Sequence, residues 1–123
     1  MGQIGSRDGD TGLIPQSLRF MLGLCQRAGQ AASGEFAVEQ ALARRKTAIL
    51  ILAEDASANT QERFCGLAAR SGVPCYRVGT RDELGSALGK EHRATVAVLS
   101  KDFASGITAI MAKEGLTPVE GRG

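Results

Sequence analysis

The apolar positions of this chain change period several times, and each change marks a new element. Leu18, Met21, Leu22 and Cys25 recur at helical spacing, which predicts a first helix over about Ser17 to Ala28, ended by Gly29. Ser33 or Gly34 opens a second helix, with Val38, Ala41 and Leu42 inward. Ala48 to Ala53 is apolar without alternation, the pattern of a central strand covered on both faces. Asn59-Thr60-Gln61-Glu62 reads as a capping box for a third helix, with Phe64, Leu67 and Ala68 inward and Ser71-Gly72 closing it. Val73 to Val78 is a short strand. Thr80-Arg81-Asp82-Glu83 is a cleaner capping box, and its helix runs through Leu84, Ala87 and Leu88 to Gly89. Thr95 to Leu99 is another covered strand. Ser100 caps a fifth helix whose Phe103, Ile107, Ile110 and Met111 form one face. Helices alternating with covered strands predict an α/β fold, a three-layer α/β/α sandwich.

The chain has 123 residues, enough for one domain, and 43% of them are hydrophobic, enough for a core. Residues 1–14, glycine-rich and polar, are expected to form a disordered N-terminal tail, and residues 115–123 a flexible C-terminal one. The domain is then residues 15–114. No apolar run reaches the roughly 18 residues of a membrane helix, and no segment has signal-peptide character, so a cytoplasmic location is expected. The net charge is only +2, but Arg44-Arg45-Lys46 and Lys90, His92 and Arg93 concentrate the positive charge. Such clusters bind phosphates or are simply solvated.

The reactive side chains point away from catalysis. Cys25, Cys65 and Cys75 show no metal-ligand spacing, there is one histidine, and buried free thiols are expected. No metal or cofactor is predicted. Gly85 to Glu91 evokes a phosphate-binding loop, but its glycines are too close and Glu91 stands where Ser or Thr should hold magnesium. Glu54 and Asp55 follow the central strand, where α/β sites often form. Asp55 is expected to begin the turn into the next helix, leaving Glu54 as a possible base contact. His92 lies in a polar loop, a poor setting for a catalytic base. The chain is 4% aromatic and has no platform for stacked bases of the kind RNA-binding sheets use. Phe36 is the one aromatic at a candidate contact, with packing against the first helix as its alternative. What remains is a docking edge. A small residue and a glycine open a helix beside a strand end, and the free backbone N–H groups there can meet anions or base edges.

Several local strings together resemble a known family. They are Leu22-Gly23-Leu24 with Ala28-Gly29, Ser33-Gly34-Glu35, Ala53-Glu54-Asp55-Ala56-Ser57 with Asn59-Thr60, Val73-Pro74, Val78-Gly79-Thr80-Arg81, Glu83-Leu84-Gly85, Gly89-Lys90-Glu91 and Val96-Ala97-Val98. Over about residues 17 to 112 the chain resembles the kink-turn-binding ribosomal proteins of the L-seven-Ae / L-thirty-e group, closest to their small bacterial YlxQ-like branch. The resemblance implies a mixed, roughly four-stranded sheet and a noncatalytic protein that binds sharply bent RNA. In archaeal and eukaryotic relatives the second helix opens with Gly-x-Asn-Glu-x-x-Lys. Here the glycine is Gly34, but Phe36, Ala37 and Gln40 stand at the Asn, Glu and Lys positions. A second family contact, from the loop before the last strand, falls on His92 to Val96, where Ala94 and Thr95 are the small residues that would meet an extruded base.

Two functions are expected to compete. In the first, the chain binds structured, kink-turn-like RNA, ribosomal or otherwise, in the setting of the ribosome or translation factors, with no membrane or DNA partner. The RNA-contacting residues are then Ser33, Gly34, Glu35, Phe36, Gln40, Arg44, Arg45, Glu54, Asp55, Lys90, Arg93, Ala94 and Thr95, gathered on one surface. In the second, Phe36 and Ala37 mark a protein–protein interaction module that kept the fold and lost specific kink-turn readout.

Overall fold

A computed structural model of the chain describes residues 14–119. Its elements are α1 (Gln16–Arg27), β1 (Ala31–Ser33), α2 (Glu35–Ala43), β2 (Ile49–Leu52), α3 (Ala58–Ser71), β3 (Cys75–Arg77), α4 (Arg81–Ala87), β4 (Thr95–Val98) and α5 (Lys101–Lys113). The strands form one mixed sheet in the order β1-β4-β2-β3. β4 runs antiparallel to both neighbours, pairing Ala32 with Ala97 on one side and Leu50 with Ala97 on the other. β2 and β3 are parallel, with Ile51 beside Tyr76.

The alternation of side chains along a strand explains why the central strands read as unbroken apolar runs. Ile49, Ile51, Val96 and Val98 face one way, into a core with Leu18 and Leu22 of α1, Leu84 of α4, and Ile107 and Met111 of α5. Leu50, Leu52 and Ala97 face the other way, onto Val38 and Leu42 of α2 and Phe64 and Ala68 of α3. Every residue of β2 and β4 is buried. The three-layer sandwich is therefore present, with α1, α4 and α5 on one face and α2 and α3 on the other.

Details depart from the sequence expectation for local reasons. β1 has no apolar run, since Ala31-Ala32-Ser33 is short and only half-buried, so periodicity misses it. α3 begins earlier than the Asn59 box, because Ser57 Oγ accepts the Thr60 N–H at 3.0 Å and serves as the cap. The Thr80–Glu83 box forms reciprocally, at 3.1 and 2.9 Å. Ser100 Oγ caps α5 through the Asp102 and Phe103 N–H groups. The expected tail 1–14 lies outside the described residues except for Ile14, which is buried in the α1 side of the core. Of residues 115–123, those to 119 are described: Leu116 packs on the core, and the Val119 N–H donates to Cys75 O at 2.6 Å. Among the described residues no helix is long and apolar enough to cross a membrane.

Candidate nucleic-acid interface

The topology brings the C-terminal ends of β1, β2 and β3 and the start of β4 to one edge of the sheet. Hydrogen bonds stitch the loops there into a row. Arg93 Nε donates to Ser33 Oγ at 3.0 Å, and the Gly34 N–H donates to Thr95 O at 3.0 Å. The Ala53 N–H reaches Ala94 O at 2.9 Å, the Glu54 N–H reaches Gly79 O at 2.7 Å, and the Arg81 N–H reaches Asp55 Oδ1 at 2.9 Å. Residues sixty positions apart in sequence are thereby fixed side by side.

Helices α2, α3 and α4 all open at this edge, yet they differ in how they open. Ser57 and Thr80 cap α3 and α4 with their side chains. α2 has Gly34 as its N-cap and no side-chain cap. The first-turn N–H groups of Glu35, Phe36 and Ala37 have no intrahelical partner, and they carry the positive end of the helix dipole. Gly34 sits at φ 92° and ψ 154°, a region essentially reserved for glycine. A Cβ at this position would meet nothing within 4 Å. Glycine is required here by backbone geometry, and the space in front of it is open to an approaching ligand.

Two carboxylates of the edge, Glu35 and Asp55, are occupied with the protein itself. Glu35 accepts from Thr60 Oγ1 at 2.9 Å and pairs with Arg63 at 3.3 Å, and the same guanidinium pairs with Glu39. Asp55 lies in the turn that leads to α3, as expected, but its side chain does not bond the backbone of that turn. It supplements the Thr80 cap of α4 instead, accepting the Arg81 N–H and lying 3.7 Å from Arg81 Nε. The Glu54 side chain is exposed.

The expected site residues divide into two groups. Ser33, Gly34, Glu35, Glu54, Asp55, Arg93 and Ala94 lie at this edge. Thr95 does too, but its side chain is fully buried, and it contributes the carbonyl that anchors Gly34 rather than a surface for a base. The Gly34 N–H, bonded to that carbonyl, is likewise not free for a ligand. Arg44 and Arg45 are not at the edge. Arg44 is the C-cap of α2, about 12 Å along the helix from Phe36 at 1.5 Å per residue. Gln40 lies between them, exposed. Lys90 is exposed on the α4–β4 loop, its N–H bonded to Gly85 O at 2.8 Å. Phe36 does not pack against α1, being 77% exposed.

Three arginines near this end of the sheet were not among the expected contacts. Arg77 ends β3 at the edge, exposed, and donates to Gln61 Oε1 at 2.7 Å. Arg81 opens α4, and Arg63 ties α2 to α3. The available signal was positional, because residues just after parallel strands collect at one end of such sheets. His92 pairs with Asp82, both well exposed. Cys25 and Cys75 are buried, and burial pushes their thiols up to about 11 and about 12, Cys75 also under the influence of Cys65. Cys65 is only half-buried. No group of three or more His, Cys, Asp or Glu side chains among the described residues is placed to hold a metal.

Comparison with known proteins locates this architecture. Residues 16–107 match the profile described as the Ribosomal protein L7Ae/L30e/S12e/Gadd45 family. A curated relative, "RNA-binding protein YlxQ" of Bacillus subtilis (strain 168), is 34% identical over 91 residues, 74% of this chain and 91% of the relative. The protein of the same name from Enterococcus faecium is 29% identical over 89 residues, 72% of this chain and 85% of its own. A solved structure of a protein with unknown function from Bacillus halodurans C superposes with a TM-score of 0.76 at 28% identity, covering 80% of this chain and 99% of that one.

Proposed function

The chain belongs to the Ribosomal protein L7Ae/L30e/S12e/Gadd45 family, and on that premise we propose that it is a noncatalytic, cytoplasmic RNA-binding protein whose Gly34 edge docks a sharply bent, kink-turn-like RNA of the ribosome or translation apparatus. Residues 15–114 are the RNA-binding domain in this reading. The observation that carries it is the uncapped α2 N-terminus, laced to the Arg93-Ala94-Thr95 loop beside open space at Gly34. The names of the curated relatives support RNA as the ligand.

The chemistry follows from the geometry. The first-turn N–H groups of α2 meet a phosphate, as helix N-termini do. Arg93, bonded to Ser33, supplies charge beside it, and Arg77 and Arg81 extend the positive charge along the same end of the sheet. Half-buried Ala94 offers a small apolar surface for a base displaced by the bend. Phe36, Ala37 and Gln40 replace the polar side chains that read bases in other branches, so recognition here rests on shape and backbone more than on base edges.

The test is binding to a panel containing a kink-turn RNA, the same RNA with its guanines replaced, and a plain duplex, at two salt concentrations. The expected result is a preference for the bent RNA, with affinity that falls steeply with salt and a slope about one unit smaller for Arg93→Ala. Weak binding, equal across the panel, would overturn the reading. The exposed Phe36 favours a second reading, a protein-interaction module of the same fold. That reading predicts capture of a protein partner, lost in Phe36→Ala, and no preference among the RNAs.

A further inference from the structure

Phe36, Gln40 and Arg44 follow one another at four-residue intervals, so they line one outward stripe of α2. Beside that stripe lies an open groove of about 390 Å³. Its floor is Phe36, Ala37, Ala41 and Leu99, and Arg44 and Lys46 stand at its far end. The acids of α2 do not reach this face unpaired, since Glu35 and Glu39 are both held by Arg63. Among the described residues, Arg44, Arg45 and Lys46 have no ion-pair partner. Favourable interaction with the C-terminal end of the helix dipole accounts for cations at this place. It does not account for a phenylalanine left 77% exposed at the other end of the same stripe.

An aromatic ring followed by cations along a shallow apolar track is the pairing that single-stranded nucleic acid recognises, with a base on the ring and phosphates on the charges. The track also begins where the Gly34 edge ends. We propose that this α2 groove holds a single-stranded RNA segment, with one base stacked on Phe36 and the following phosphates contacted by Arg44 and Lys46. The inference rests on the RNA-binding reading only for the continuity of the strand with the docked bend. It adds a sequence-tolerant contact that starts at the docked edge and runs away from it along α2.

The probe is a fluorescently labelled oligoadenylate of about ten nucleotides, compared with a blunt RNA duplex by anisotropy. Phe36→Ala is expected to weaken oligoadenylate binding by about fivefold or more, and Phe36→Tyr to restore it. Arg44→Ala with Lys46→Ala is expected to lower the salt slope by about 1.4. Oligoadenylate binding that is absent, or unchanged in Phe36→Ala, would overturn the inference even if the bent RNA binds. Binding that depends on Phe36 when no bent RNA is preferred would uphold the groove and sink the bend reading. A wild-type dimer that becomes a monomer in Phe36→Ala, with oligoadenylate affinity unmoved, would assign the groove to a second copy of the chain and overturn the proposal. The melting profile of each variant checks its fold.

Discussion

Replacing Gly34 with alanine isolates the feature on which the proposed interface depends. The residue holds φ 92° and ψ 154°, where an L-residue pays about 1–3 kcal/mol. No steric term adds to this, because the new Cβ meets nothing within 4 Å. Lower entropy of the unfolded chain offsets about 0.4–1 kcal/mol. The net destabilisation is therefore about 0–2.6 kcal/mol, with the mid-values giving about 1.3, and at roughly 4–8 °C per kcal/mol the melting temperature is expected to fall by about 5–10 °C. Equilibrium urea unfolding should show a lower midpoint with an unchanged slope. The strain can relax only by rotating the first turn of α2 or by lengthening the Gly34–Thr95 hydrogen bond, so RNA affinity should fall as well. Gly72→Ala is the control. It places a side chain at φ 71° in the C-cap of α3, also with nothing within 4 Å, but at the opposite end of that helix. It should destabilise comparably and leave RNA affinity unmoved. A Gly34→Ala protein as stable as wild type, or equal RNA losses in the two variants, would refute the reasoning.

In Gly85→Ala the new Cβ would lie 1.7 Å from Glu91 O, a backbone atom, so the 89–94 loop must move; a loss of about 1–3 kcal/mol in urea, with weakened RNA binding through displaced Arg93 and Ala94, is expected. Asp55→Ala removes the acceptor for the Arg81 N–H and the charge at the start of α4, both half-exposed, and should cost about 0.5–1 kcal/mol in the same assay. Burial raises the Cys25 thiol to about 11 and Cys75 to about 12 from an ordinary 9, so above pH 9 the unfolded chain releases protons that the folded chain keeps. The thiol contribution to stability should be flat below pH 9 and fall as the pH rises past it, and Cys25→Ala should reduce that slope.

The legible parts of the fold were those written in periodicity. The five helices, the covered strands β2 and β4 and the Thr80–Glu83 box all follow from local pattern, because burial on both faces leaves an unbroken apolar run. β1 was not legible from its residues, since an Ala-Ala-Ser segment is defined by its pairing with β4 rather than by its own side chains. Gly34 announced itself as a glycine between a strand end and a helix. Its partners did not, because the bond from Arg93 to Ser33 spans the chain. Arg44 and Arg45 were placed with Gly34 on the strength of charge alone, although a helix that starts at one edge of a sheet must carry its last residues to the other. Thr95 was taken as a contact because the family resemblance places small residues there against a displaced base, whereas as the first residue of β4 its side chain is fully buried.

The central claim is spatial, so the most direct measurement is a map of backbone amide shifts as bent RNA is titrated into isotopically labelled protein. The account predicts the largest changes at Glu35, Phe36, Ala37, Arg93 and Ala94, with the amides of α5 unmoved. Changes concentrated on the outer face of α1 around the exposed Phe20, with the Gly34 edge silent, would contradict it.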